Sequence, residues 1–152
     1  MLTAVIRRLG SHRPKQNEEA MAGIPQQYLD LLTTKKAFAH LATLMKDGSP
    51  QVTPVWFDLT DGMIRVNTAR GRVKDRNLKV GSRVALSIAD PDNPYRYVQV
   101  RGKVTKETEQ GADAHIDSLA KKYMGVDSYP YRNAAEKRVI YHIEPISGQG
   151  MN

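Results

Sequence analysis

Residues 64–86 read IRVNTARGRVKDRNLKVGSRVAL, and the change of period inside this stretch decides how the rest of the chain folds. Ile64, Val66 and Thr68 alternate with Arg65 and Asn67, the two-residue period of a half-buried strand. Small residues at Ala69 and Gly71 open a tight turn, a short helical pattern runs from Val73 to Val80, and Gly81 breaks it before a second strand at Val84. Arg65, Arg70, Arg72, Lys74, Arg76, Lys79 and Arg83 all fall here, opposed by Asp75 alone. A strand feeding a short helix leaves backbone N–H groups unpaired, and cationic side chains beside them make a seat for a phosphate. A solvated helix face would carry the same charge, so position must decide. The cluster sits at one junction between two apolar strands, where Gly71 permits close backbone approach.

Working upstream, Asp61-Gly62 marks a hairpin turn back to a strand over Gln51 to Leu59, in which Thr53, Val55 and Phe57 share one face and Val52, Pro54 and Trp56 the other. Both faces are fairly apolar and Pro54 denies the ladder a donor, so this strand needs two things to bury against, the core and either a ligand or a second subunit. Asp47-Gly48 turns it back to a strand over Phe38 to Leu44. Before that, Pro25 suits the first turn of a helix that places Tyr28, Leu31 and Leu32 on one face, as a lid on the core. Residues 1–23 are polar and basic without a sustained period and read as a flexible arm.

Downstream, Val84, Leu86 and Ile88 form one apolar face of a strand, residues 90–94 form a loop, and Tyr95 to Lys106 is a long strand with Val98, Val100 and Val104 inward. Its outer row holds Tyr97, Gln99 and Arg101, richer than an ordinary solvent face and suited to an interface with a polar ligand. Ala112, Ile116, Leu119, Ala120 and Tyr123 recur at helical spacing, giving an amphipathic helix from about Thr108 to Met124 with Gly125 as its stop. A last strand spans Val139 to Ile143, and the tail from Pro145 to Asn152 is expected to be irregular. Strands that arrive through hairpins, with helices as occasional insertions, predict a mainly β, α+β fold: a six-stranded antiparallel barrel with peripheral helices, in one domain over residues 24–152.

The 152 residues suffice for a real core, and with no cysteine there is no disulfide framework, thiolate metal site or cysteine nucleophile. No span reaches membrane length and residues 1–10 lack the features of a signal peptide, so a soluble, cytoplasmic protein is expected. The net charge of +7 favours polyanions as partners without choosing among nucleic acid, acidic lipid and a phosphorylated ligand. No signature of a known RNA-binding module is present. His40 and His142 suit structural roles, while His12 in the arm and His115 on a helix flank lack the partners of a metal site.

Three runs together carry a resemblance: Leu41-Ala42-Thr43, then residues 47–57 reading DGSPQVTPVWF, then Asn67-Thr68 with residues 71–78 reading GRVKDRNL. In this order, across residues 25–145, they resemble the split β-barrel flavoproteins related to pyridoxamine 5′-phosphate oxidase, and within them the branch dependent on the deazaflavin coenzyme F420 and its FMN-binding cousins. The resemblance implies a six-stranded split barrel, a homodimer with two cofactors in clefts between subunits, and an oxidoreductase acting on a small-molecule substrate. On the matching positions Arg72 and Lys74 would grip the phosphate, Thr68 would give a hydroxyl to it or to the ribityl chain, and Arg70 would assist beside Gly71. The strand through Gln51, Thr53, Pro54, Val55 and Trp56 would lie along the tricyclic ring. By analogy the opposite subunit would contribute Tyr97, Gln99 or the loop from Tyr129 to Arg132.

The chain departs from the pyridoxamine phosphate enzymes at its end, where Glu144-Pro145-Ile146-Ser147-Gly148 lacks their arginine- and tryptophan-rich substrate segment, so vitamin B6 oxidation is not expected. Excess positive charge at Arg70, Arg76, Lys79 and Arg101 favours the glutamate-tailed F420 over FMN. A flavin or deazaflavin carries the hydride itself, so no catalytic side chain is assigned. The alternatives are an FMN-binding oxidoreductase or flavin carrier, and a basic nucleic-acid-binding barrel without redox chemistry. No metal site and no membrane are expected.

Overall fold

The computed structural model describes residues 23–152; the arm predicted over residues 1–23 lies, but for Gly23, outside the described residues. Seven strands, β1 (Ala39–Leu44), β2 (Pro50–Val55), β3 (Phe57–Thr60), β4 (Met63–Ala69), β5 (Arg83–Asp90), β6 (Asn93–Thr108) and β7 (Arg138–Met151), form one antiparallel sheet in the order β2-β1-β5-β6-β7-β4-β3. β2 and β3 are the two ends of that order, yet only Trp56 separates them in the chain. The sheet must therefore curl on itself until its ends meet, which makes it a split barrel. Its interior is filled by Leu41, Val55, Phe57, Ile64, Val66, Leu86, Ile88, Val98, Val100, Tyr141 and Ile143, all buried.

Splitting of the expected strand at residues 51–59 accounts for the seventh strand. β2 pairs with β1 and β3 with β4, so the chain crosses from one end of the sheet to the other at Trp56. There the backbone leaves the ladder, and the Tyr123 hydroxyl accepts from the Phe57 N–H (3.4 Å) while donating to the Ala37 carbonyl (2.7 Å). Apolar residues on both faces of this stretch report a strand that changes partners. The tail is also corrected: β7 continues to Met151, paired with β6 through Gly148 and Gly150. Glycine is required there because a Cβ on Gly150 would overlap the Tyr28 ring and one on Gly148 the Gly23 carbonyl.

A 3-10 turn (Gln26–Tyr28) leads into the short helix α1 (Leu29–Thr33), which buries Tyr28, Leu31 and Leu32 on the barrel as expected. Helix α2 (Val73–Asn77) fills the junction between β4 and β5. Helix α3 (Ala112–Met124) runs between Gly111 and Gly125, both at positive φ, and packs on β4 and β7 through Ala112, His115, Ile116, Leu119 and Ala120. Its first turn lies later than predicted because β6 runs on to Thr108. Among the described residues no helix is long and apolar enough to cross a membrane.

Candidate functional site

The turn after β4 is built from its own charges. Asp75 accepts from the Gly71 N–H (2.8 Å), from Arg70 Nη1 (3.0 Å) and from the Tyr141 hydroxyl (2.5 Å), which pins the loop that carries Arg72. Burial alone would raise the Asp75 pKa, but these donors outweigh it and hold the carboxyl below its usual range. Gly71 takes φ 87°, a left-handed conformation that a β-carbon disfavours. Arg70 faces away from the cleft described below, toward Glu107 and Glu109, so its charge is spent on the fold.

Polar inward side chains of β1 and β2 anchor α2. Lys74 Nζ donates to Thr53 Oγ1 at 2.9 Å, Asn77 Nδ2 donates to Thr43 Oγ1 at 2.9 Å, and Thr43 in turn donates to Gln51 Oε1 at 3.1 Å. Gln51 and Thr53 therefore orient the helix that bears Lys74. Lys74 is half-buried, and burial first, then the neighbouring Arg72, lowers its pKa.

Beside α2 opens a cleft of about 300 Å³ lined by Pro54, Val55, Trp56, Asn67, Thr68, Arg72, Lys74, Ile116, Leu119, Tyr129, Tyr131 and Arg138. Part of the lining is aromatic: Trp56 stacks on Tyr123 at 5.3 Å with the rings 4° from parallel, and meets Tyr129 edge-on at 6.1 Å, while Tyr131 meets Tyr129 edge-on. The loop carrying these tyrosines is tied to α3, because Asp117 accepts from the Tyr129 N–H (2.8 Å) and from Arg132 Nη2 (2.7 Å). The cleft also carries three cations, Arg72, Lys74 and Arg138. Glu136 answers two of these, at 2.6 Å from Arg72 and 3.5 Å from Arg138. Arg138 is 9% exposed, stacks over Tyr129 at 5.4 Å and donates Nε to Asn67 Oδ1 at 2.8 Å; burial lowers its pKa.

Thr68, 3% exposed, also lines the cleft, and among the described residues its Oγ1 has no hydrogen-bond partner. Buried polar groups are almost always paired, so this hydroxyl, on a residue that lines a cleft carrying three cations, is a candidate donor to a bound acceptor. The chemistry of this donor set fits an anion joined to a flat apolar body.

Six of the expected site residues, Pro54, Val55, Trp56, Thr68, Arg72 and Lys74, line this cleft together. Gln51, Thr53 and Gly71 support it from behind, and Arg70 does not reach it. Tyr97 and Gln99 lie on the outer face of β6, opposite Ala89 and Ser87 of β5. The loop from Tyr129 to Arg132, expected to reach in from an opposite subunit, covers the cleft of its own chain; Asp117 ties it there. Sequence reasoning missed Asn67 as a lining residue and Arg138 altogether, since a lone arginine at the start of a strand carries no motif. His115 is not a flank residue but is 5% exposed behind the cleft. Among the described residues no cluster of His, Asp or Glu is arranged to hold a metal.

Residues 24–152 match the family described as pyridoxamine 5′-phosphate oxidase. This chain belongs to the pyridoxamine 5′-phosphate oxidase family. Among solved structures, this family member is similar to an F420 reductase, with 35% identity, 83% of this chain and 98% of that one covered, and a TM-score of 0.72. It is also similar to the conserved hypothetical protein Rv2991 of Mycobacterium tuberculosis (22% identity, 85% of each chain, TM-score 0.64). A third likeness is to an FAD and heme binding protein of Mycobacterium smegmatis (17% identity, 85% of this chain and 71% of that one, TM-score 0.61). At these lower identities the last two likenesses show the fold alone. No match was found among curated proteins.

Proposed function

We propose that this protein is an oxidoreductase that holds coenzyme F420 in the cleft between Trp56 and Lys74 and passes a hydride between it and a small organic substrate. The observation that carries the reading is one cleft lined together by Trp56, Tyr129 and Tyr131, by the cations Arg72, Lys74 and Arg138, and by Thr68, whose buried hydroxyl has no partner among the described residues. Lys74, Arg72 and Arg138 would hold the anionic tail, with Thr68 donating a hydrogen bond to it. Trp56, Tyr129 and Tyr131 would flank the ring and keep water from it, and the backbone at Pro54 and Val55 would run along its edge. When bound, the deazaflavin supplies the hydride chemistry, and the protein orients it. FMN offers the same ring and phosphate and is the alternative; the 35% identity to an F420 reductase favours F420.

The proposed working unit is a homodimer. The outward row of Pro50, Val52 and Pro54 on β2 continues through Leu44 and Ala42 on β1 to Ala85 on β5 and to Arg101, Gln99 and Tyr97 on β6. Val52 and Leu44 are 61% and 54% exposed there, an apolar face that a second copy would cover. Pro54 belongs to this face and also lines the cleft, so the same packing would close the cleft and bring the partner's Tyr97 and Gln99 toward it.

Trp56 is the only tryptophan in the chain, so quenching of its fluorescence reports the cleft directly. Titration with F420 and with FMN should quench it. Lys74→Met and Arg72→Ala should each weaken binding by at least ~1 kcal/mol, the scale of a lost charge-assisted hydrogen bond. Arg72, half exposed and paired with Glu136, should show the smaller loss. Unquenched Trp56, or affinity untouched by both substitutions, would defeat the proposal and return the basic nucleic-acid-binding reading.

A further inference from the structure

Behind the cleft runs a chain of side chains that holding a cofactor does not by itself require. Asn67 on β4 lines the cleft, and its amide has three partners. Arg138 Nε donates to Oδ1 at 2.8 Å, Nδ2 donates to the Ala112 carbonyl at 2.9 Å, and Nδ2 also lies 3.2 Å from His115 Nδ1. The first two contacts decide which end of the amide is which without reference to the histidine. A guanidinium N–H needs the oxygen, and a carbonyl needs the NH2. His115 Nδ1 therefore meets a donor and must accept, so the ring proton sits on Nε2, 3.2 Å from Asp58 Oδ2. That last contact is off the line of the N–H and does not make a well-formed hydrogen bond.

We infer that His115 is a positioning residue: as the neutral Nε2–H tautomer it locks the Asn67 amide, which aims the Arg138 guanidinium at the anion in the cleft, and a proton on Nδ1 undoes the lock. A protonated Nδ1 faces the Asn67 NH2 donor to donor. Rotating the amide to answer it sets Oδ1 against the Ala112 carbonyl and NH2 against Arg138 Nε, so neither arrangement satisfies all three partners. Arg138 would then lose its Nε contact and be left with Glu136 and the Tyr129 ring alone to orient it.

Several other ionisable groups surround the imidazole. Asp58 on β3 favours a charged ring, and it shares its carboxylate with Arg65 of β4 at 2.8 and 2.6 Å. Arg138 and His142 on β7 and Lys122 and Tyr123 on α3 are further charged or titratable groups near the Asp58–His115 pair. Arg138 touches His115 only through Asn67.

This inference rests on the cofactor reading above for what Arg138 holds, and its test separates the two. Long-range nitrogen–proton NMR on the full-length protein without ligand should find His115 with Nδ1 bare and Nε2 protonated near neutral pH. FMN and F420 affinity should then be measured between about pH 8 and pH 5.5 for the native protein and for His115→Asn, whose amide oxygen stands in for Nδ1 but does not titrate. The native protein should lose at least about fivefold more affinity over that range than the variant, the scale of one lost hydrogen bond, since the ligand's own titration is common to both. An Nδ1–H tautomer, or identical pH profiles, overturns the inference. If neither cofactor binds at any pH the functional reading fails, and the tautomer of His115 together with the pH response of the Arg138 Nε–H resonance still decides the lock.

Discussion

Replacing Thr68 by valine should move stability and binding in opposite directions. The Thr68 side chain is 3% exposed, lines the cleft from β4, and its buried hydroxyl is unpaired among the described residues. Leaving a buried polar group unsatisfied costs about 1–3 kcal/mol, so the free protein carries that penalty. Valine keeps the branched shape and suits a strand, and it exchanges the hydroxyl for a methyl of nearly the same volume. The free Thr68→Val protein should therefore be more stable by about 1 kcal/mol, which for a domain of this size raises the melting temperature by roughly 3 °C. Binding goes the other way. A hydrogen bond to a charged oxygen is worth about 1.5–3 kcal/mol, so affinity for F420 or FMN should fall by about tenfold or more. Thermal unfolding by circular dichroism without ligand gives the first number, and Trp56 quenching gives the second. A variant that melts lower and binds unchanged would refute the reasoning, because the hydroxyl would then be serving the fold and not the ligand.

Two further outcomes concern the frame around the site. Burial would raise the Asp58 pKa, but His115 and Arg65 together lower it from 3.8 to about 2. A carboxyl whose folded pKa lies below its unfolded value adds stability that is complete above about pH 4 and is lost as the pH falls toward 2. The shift corresponds to about 2 kcal/mol, so the stability difference between the native protein and Asp58→Asn, followed by urea unfolding, should shrink by that amount across this window. A constant difference would show that Asp58 is not held by these partners. Gly150→Ala should cost about 1–3 kcal/mol in the same assay, because the added methyl runs into the Tyr28 ring and the Tyr97 carbonyl. An unchanged denaturation midpoint would show that the end of β7 does not pack as described.

The sequence by itself determined the features that depend on near neighbours along the chain. Asp47-Gly48 and Asp61-Gly62 turn the first strands back on one another because their backbones accept positive φ, and both turns form as predicted. The two-residue period of Ile64, Val66 and Thr68 and the cations of residues 70–76 located the β4 to α2 junction and, in Thr68, Arg72 and Lys74, three residues of the cleft, while the family resemblance added Pro54, Val55 and Trp56.

Only the tertiary structure decided the rest. Trp56 divides one apolar run into two strands because its halves find partners, β1 and β4, at opposite ends of the sheet. Gly148 and Gly150, which look like signs of an irregular tail, are small so that β7 can lie under Gly23 and Tyr28, a requirement set by residues more than a hundred positions away. Charge alone did not reveal which cations are free: Arg70 is consumed by Glu107, Glu109 and Asp75, whereas Arg138, unremarked in its strand, turns inward to the cleft. Local chemistry sets the turn and the period, but whether a polar atom finds a partner depends on what long-range pairing brings beside it.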